Sequence, residues 1–478
     1  MNKEEKKINR RDYLKYTGAA IGGLVVGGAL GYVLKPAEVV EKTATVTIPG
    51  AEKTVTVTAP GVEKTITKTV SVTETTTTPI IKPGKISFMN MGGIATDILN
   101  EIVADFKKKF PGSDVLLDNV PHAQGHEKYL TLFKGGTPPD VGYFLELWVP
   151  EFAEMNALVA LDDFLGPNEW KKIADEFIGN TEDIGLWKGK HYAIPMYYST
   201  RAMLYRRDRL EEIGFKIPNK EEWSYETLYE AVKAIHKPEV GFYGFGMPLK
   251  DPKHTLRVFC QLSWPKGAEL LDEKGKPVFN TQEAIDTLEY LVSLKPYSQP
   301  GAETYNEGDV YTLLYGGKLG FFVAGGAYTV LYIEKNYPEL RPKLDYALPP
   351  KGKAGHKILQ IADVLVMFNA CKNKELAWEF MKYWIDPDWR LKLDQFIGFM
   401  PLTYGEASKP FFQTDFWKFW VEIGDKYGKF MPIWPWWPEI QSIIAGGIAS
   451  AWMGEKKPED AIKYAYDESI KVYEKWIK

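Results

Sequence analysis

From residue 85 onward, the hydrophobic positions switch repeatedly between two periods. Residues 85–89 form a short apolar run. Residues 94–110 then place Ile98, Ile102, Val103 and Phe106 at helical spacing, and 115–120 returns to a strand-like pattern. A further helix is expected over about 127–133. It leads through Gly135-Gly136-Thr137-Pro138-Pro139-Asp140 into an apolar strand at 141–147. The two prolines fix a sharp entry to that strand, and Asp140 is expected to cap or order the turn. Strands alternating with helices in this way predict an α/β fold.

The pattern is different ahead of residue 85. Residues 36–84 contain no Phe, Trp or Tyr, and they repeat: Pro49-Gly50-Ala51-Glu52-Lys53-Thr54-Val55-Thr56 returns as Pro60-Gly61-Val62-Glu63-Lys64-Thr65-Ile66-Thr67. Thr/Val alternation favours extended backbone, and without aromatic area nothing offsets the ordering entropy, so this stretch is expected to be a stalk. Thr75-Thr76-Thr77-Thr78-Pro79 has the composition of an O-glycosylated stalk and equally of an unmodified spacer. Further upstream, Lys6, Lys7, Arg10 and Arg11 precede an apolar, glycine-rich stretch at 16–34, the polarity order of an export signal. Gly22, Gly23, Gly27, Gly28 and Gly31 would make a poor core helix. Asn9-Arg10-Arg11-Asp12-Tyr13-Leu14-Lys15 resembles the twin-arginine consensus. Residues 1–35 are therefore expected to be a twin-arginine-type signal or membrane anchor on the extracellular face, either uncleaved or cleaved after export.

Composition narrows the function. The 478 residues are 45% hydrophobic and 26% charged, enough for two or three domains. A net charge of -4, with no basic run interleaved with aromatics, argues against nucleic acid as a partner. Cys260 and Cys371 are too few and too far apart for a zinc site or a disulfide scaffold, and are expected as packed free thiols. No motif calls for a metal or another cofactor.

The order of segments in the body carries a resemblance. The strand, helix, strand and Gly-rich Pro-Asp turn already described are followed by Lys190-His191-Tyr192-Ala193-Ile194-Pro195 and by Met203-Leu204-Tyr205-Arg206-Arg207-Asp208-Arg209-Leu210. Next comes Trp223-Ser224-Tyr225-Glu226-Thr227-Leu228, in which Ser224 is expected to cap a helix. Later come Phe279-Asn280-Thr281-Gln282-Glu283-Ala284, Gly317-Lys318-Leu319-Gly320-Phe321-Phe322 with Gly325-Gly326-Ala327-Tyr328, and Asn373-Lys374-Glu375-Leu376-Ala377-Trp378-Glu379-Phe380. Gly454-Glu455-Lys456-Lys457-Pro458-Glu459-Asp460-Ala461 closes the series. Together they resemble the ABC-importer solute-binding family that contains the maltodextrin-binding and glycerol-phosphate-binding proteins. Arg206 stands where that family usually has Asn.

That resemblance implies a periplasmic-binding-protein-like fold, two α/β lobes joined by a multi-crossing hinge around a ligand cleft. With crossings near 197, 343 and 400, lobe one would be 85–197 plus 343–400 and lobe two 198–342 plus 401–478. It also implies a monomer that captures a sugar outside the cell and delivers it to membrane permease subunits, with no catalytic activity of its own.

The content of 15 Trp, 27 Tyr and 24 Phe suits a sugar, whose faces need flat apolar platforms and whose edges need polar groups. Asn90, Gly92 and Gly93 are expected in the first loop of lobe one, and Glu146 and Trp148 at the end of the Pro-Asp strand. Ser199 and Arg201 follow the first crossing, and Trp264, Tyr328 and Asp363 complete the set by position in the family order. Trp436 and Trp437 lie between prolines ahead of the last helices, where the family contributes cleft residues. Two alternatives keep the fold and change the ligand: Arg201 suits a phosphorylated polyol, and adjacent Tyr197 and Tyr198 suit ferric iron. A secreted glycoside hydrolase is a third, requiring two carboxyls in one cleft, and nothing in the sequence marks such a pair.

Overall fold

Strand β1 (Lys85–Met91) pairs in parallel with β2 (Asp114–Val120) and β3 (Val141–Leu145). The crossover between β1 and β2 is α1 (Thr96–Lys109), which buries Leu99, Ile102 and Phe106, while Ile98 and Val103 of the expected face are only half-buried at its edge. Helix α2 (Gly125–Lys134) leads into β3. The Pro-Pro-Asp turn is tied to β1: Asp140 Oδ2 accepts from Ser87 N at 2.8 Å and from Ser87 Oγ at 2.9 Å. The structure, a computed structural model, describes residues 81–477 apart from 93, 94, 179 and 180. The expected export segment and residues 36–80 of the expected stalk lie outside the described residues.

The folded body begins earlier than residue 85. Ile81 packs on the core, Asn373 Nδ2 donates to Lys82 O at 2.8 Å, and Asp114 N donates to Gly84 O at 2.9 Å. Residues 81–84 thus belong to the domain rather than to the stalk.

One long strand, β4 (Ala193–Arg206), organises the rest. Helix α3 (Tyr225–Ile235) is capped as expected, with Ser224 Oγ accepting from Thr227 N at 3.0 Å. After it come β5 (Tyr243–Phe245), α4 (Pro252–Ser263), α5 (Glu307–Tyr315), β6 (Leu319–Gly326), α6 (Ala327–Asn336), β7 (Leu344–Ala347) and β8 (Ile358–Met367). The first part of β4 pairs with β8, and its second part pairs with β6 and β7. Nine strands are thereby linked in the order β2-β1-β3-β8-β4-β6-β5, with β7 on β4 and β9 (Gly428–Phe430) on β8. Two α/β lobes share β4 and β8 as their connections.

Two crossings differ from expectation. Residues 344–347 pair with Met203 to Arg206 in the second lobe, so the chain returns along β8 around Asp363 rather than near 343. Helix α7 (Pro387–Ile397) packs on α1 with Lys392 3.3 Å from Glu101, and Leu402 O still accepts from Ile178 N in the first lobe. The third crossing therefore follows Tyr404, before α8 (Asp415–Tyr427), which packs across β4 and β8. Helix α9 (Trp437–Met453) closes the second lobe against α4, and α10 (Pro458–Ile477) packs on α9.

The β4/β8 ladder is irregular at the hinge. Asp363 faces Tyr197 whereas Val364 faces Pro195, so Met196 is an extra residue on β4. Pro195 has no N–H to give to a ladder, which makes this a natural place for a bulge. The displaced Met196 carbonyl accepts from Arg390 Nη1 at 2.5 Å. Arg390 is fully buried together with Asp394, its hydrogen-bonded partner, and Glu406, whose Oε2 is 3.6 Å from Arg390 Nε. Cys260 and Cys371 are both free and buried, and burial raises both thiols above the usual range.

Candidate functional site

Where β4 and β8 cross between the lobes there is a cavity of about 600 Å3. Its wall combines flat rings with charged groups. Tyr143 and Trp148 come from β3 and the turn after it, Tyr197 and Tyr198 from β4, Tyr328 from α6 and Phe399 from the segment after α7. Phe399 stacks on Tyr197 at 5.2 Å, and Tyr143 meets Tyr197 edge-on at 5.6 Å. Arg201 is 4% exposed and donates through Nη1 to Tyr328 OH at 2.6 Å and Tyr311 OH at 3.1 Å, with its guanidinium 4.9 Å above the Tyr328 ring. Asp363 accepts from Tyr143 OH at 2.6 Å.

Of the residues expected to bind ligand, Trp148, Ser199, Arg201, Tyr328 and Asp363 line this cavity. Glu146 is buried beside it, close enough for the charges of Asp363, Arg257 and Lys253 to act on its carboxyl. Asn90 and Gly92 end β1 away from the lining: Asn90 Nδ2 donates to Asn119 Oδ1 at 3.0 Å, and Gly92, at φ 66°, donates its N–H to Val120 O. Gly93 lies outside the described residues. The three remaining tryptophans are core residues away from the cavity. Trp264 is buried under Lys429, whose ammonium is 5.1 Å from its ring. Trp437 is fully buried at the start of α9. Trp436 stacks on Trp434 at 4.9 Å and donates Nε1–H to Gly275 O at 2.8 Å. Gly275, at φ 74°, allows that approach, since a Cβ there would sit 2.6 Å from the Trp436 ring.

The model of the bacterial extracellular solute-binding protein family matches residues 92–390. This chain belongs to that family. A binding protein of Brucella abortus strain 2308 is 26% identical over 372 residues, covering 76% of this chain and 87% of its own. The arabinooligosaccharide-binding protein of Halalkalibacterium halodurans is 25% identical over 363 residues, covering 71% and 76%. Among solved structures, a Thermotoga lettingae ABC-transporter solute-binding protein bound to α-D-tagatose superimposes with a TM-score of 0.71 at 23% identity, covering 81% of this chain and all but 1% of that one. The family consists of binding proteins rather than enzymes.

The cleft of this solute-binding protein also holds a charged group that sequence reasoning did not select. Asp251 caps α4, its Oδ1 accepting from Lys253 N at 2.9 Å, and Lys253, His254 and Arg257 follow on the first turns. Arg257 pairs with Glu307 at 2.9 Å. Burial works against ionisation of Glu307, but Arg257 and Arg201 hold its carboxyl down at about 2. Burial lowers His254 to about 4, and its Nδ1 accepts from Glu307 N at 3.3 Å, the arrangement of a neutral ring. His122 reaches the same cavity from the first lobe, lowered by burial and by Lys253. Burial and Asp363 push Glu146 up to about 8, and burial raises Asp363. A signal for the α4 group was present in the sequence: Asp251-Pro252 marks a helix start, and Lys253 directly after it sits at the wrong end of a helix dipole. Among the described residues no group of three or more His, Cys, Asp or Glu is placed to hold a metal ion, and no helix is long and apolar enough to cross a membrane.

Proposed function

We propose that this protein captures a sugar in the cleft between its lobes outside the cell and delivers it to the membrane permease of an ABC importer. The observation that carries the reading is the cavity wall, in which Tyr143, Trp148, Tyr197, Tyr328 and Phe399 stand among Arg201, Asp363 and Ser199. Rings offer platforms for C–H faces while the polar groups take hydroxyls, and hinge closure buries most of such a ligand. The similarity to an arabinooligosaccharide-binding protein and to a protein holding tagatose supports the same class. The protein acts as a monomer, binds no nucleic acid and leaves its ligand chemically unchanged.

Calorimetry against a panel of mono- and oligosaccharides and sugar alcohols tests this. At least one should bind and compact the protein in small-angle scattering, and the absence of binding across the panel would overturn the reading. Asp363→Asn keeps the shape of the side chain but removes the charge, so affinity for that ligand should fall about tenfold to a hundredfold, the worth of a hydrogen bond to a charged group. An unchanged affinity would remove Asp363 from the site.

Tethering is supported by the N-terminal sequence. The Arg10-Arg11 pair is read as an address and the apolar 16–34 stretch holds the exported protein at the outer face of the membrane. Replacing both arginines by Lys keeps the charge and should retain the protein in the cytoplasm. Normal surface delivery of that variant, followed by fractionation, would point to the general secretory route instead.

A further inference from the structure

We propose that the sugar taken by this cleft carries a carboxylate, as in a uronic acid unit, seated on Lys253 and Arg201. This rests on the reading of the cleft as a sugar site and specifies the ligand's class within it. The starting point is α4, where Lys253 and Arg257 stand four residues apart and both line the cavity. Like charges at that spacing repel. Lys253 also sits in the first turn of the helix, the positive end of its dipole, where cations are unfavourable and anions are favoured. Glu307 answers Arg257, which leaves Lys253 as the cation of the pair that a ligand anion can meet.

The carboxylates of the cavity are engaged elsewhere. Glu307 takes Arg257 at 2.9 Å and lies 3.7 Å from His254, Asp363 holds Tyr143 OH, and Asp251 is committed to the cap, with its other oxygen 3.6 Å from His254. Among the described residues, neither Lys253 nor Arg201 has a carboxylate within ion-pairing distance. Arg201 is the sharper case. Its Nη1 is bonded to two phenols and, at 3.5 Å, to Ala324 O, all of them neutral, while its buried Nε has no partner. Glu307 acts on it only through space, without a hydrogen bond to it, and the planar donor set of a buried guanidinium matches a carboxylate. Burial, and then the neighbouring Arg257, lower Lys253, while Asp251, Glu307 and Asp363 act the other way. Asp251, Glu307 and Asp363 already balance Lys253, Arg201 and Arg257 across the whole cavity, so a ligand with one negative charge disturbs that balance less than the two of a phosphate monoester would.

The test is calorimetry on the exported protein with glucuronate, galacturonate and digalacturonate, each beside its neutral counterpart, and with glucose 6-phosphate. The uronates should bind about tenfold or more tighter than the matched neutral sugars, as expected for one charge-assisted contact. Lys253→Met should collapse that ratio and Lys253→Arg should restore most of it. Neutral sugars binding as tightly as uronates, or a ratio that Lys253→Met leaves unmoved, would overturn the proposal while leaving sugar capture intact. Preference for glucose 6-phosphate over every uronate would overturn it in favour of a phosphate. If no sugar of any charge binds, sugar capture itself fails and this assignment falls with it.

Discussion

Arg390→Met is expected to destabilise the protein by about 3–5 kcal/mol, because it removes the cation from a buried ionic cluster and leaves the acids behind. Arg390, Asp394 and Glu406 are all fully buried, and Glu406 is further engaged by Leu402 N at 2.8 Å. Arg390 also holds the Met196 carbonyl that the β4 bulge pushes out of the ladder, so its loss leaves a buried acceptor unpaired at the hinge. The defect should depend little on pH near neutrality. Burial raises Asp394 well above the usual carboxylate range even with Arg390 opposing, so the native wild type and the native variant both keep that proton. In the unfolded chain an Asp ionises from about pH 4 upward, so both proteins lose stability as pH rises. The loss due to the substitution should therefore be similar at about pH 4.5 and at about pH 7.5. Urea unfolding at the two pH values checks this. A loss under about 1 kcal/mol at neutral pH, the range of an ordinary surface change, would mean that the cluster contributes nothing to the hinge. Replacing all three residues by apolar ones of similar volume should recover much of the stability, since the desolvation of the charges is then removed as well.

The alternation of strand and helix periods was enough to place β1, α1, β2, α2 and β3 and to recognise an α/β body. It was not enough for the end of β3, where Glu146 to Trp148 turn into a single helical turn instead of continuing the strand. An apolar run reads the same in either conformation, and only the cavity beside it explains the turn. The expected crossing near 343 failed for a related reason. Residues 344–347 have the pattern of any short strand, and their pairing with the second half of β4 is a choice made 140 residues away. Trp436 and Trp437 show the limit most clearly. Flanking prolines do keep Trp436 out of helix, but its depth is set by Gly275 and by Tyr473 on α10, neither of which is marked in the local sequence. Trp148, Ser199, Arg201, Tyr328 and Asp363, chosen by segment order, come together on the cavity wall, because order fixes which strand ends meet at the hinge. Lys253 of α4 could have been found by physics alone, as a charge at the unfavourable end of a helix.

Glu146→Gln should make the protein more stable at neutral and alkaline pH, even though it alters a residue beside the cavity. Glu146 is buried at the end of β3, and burial together with Asp363 raises its carboxyl to about 8 from an ordinary 4.5. Below 4.5 both the folded and the unfolded chain hold the proton, and the residue has no effect on the pH dependence. Between 4.5 and about 8 the unfolded chain releases it while the native protein does not, so native stability falls by about 1.4 kcal/mol for each pH step. Above about 8 both states are ionised and the loss levels off, on the order of 5 kcal/mol in all. Gln has nearly the same shape and does not titrate. The variant should therefore match the wild type near pH 4, gain on it steadily toward pH 8, and stay ahead beyond. Thermal unfolding of both proteins across that range checks the shape of the curve. A difference in Tm that does not change with pH, or a variant less stable at pH 8, would show that Glu146 ionises freely in the native state. Carrying such a destabilising acid next to Asp363 makes sense for a ligand site, where a carboxyl kept protonated at neutral pH can both donate and accept a hydrogen bond, as a hydroxyl-rich ligand requires. The same variant should then bind its ligand more weakly while unfolding at a higher temperature, the opposite signs expected of a residue retained for binding rather than for stability.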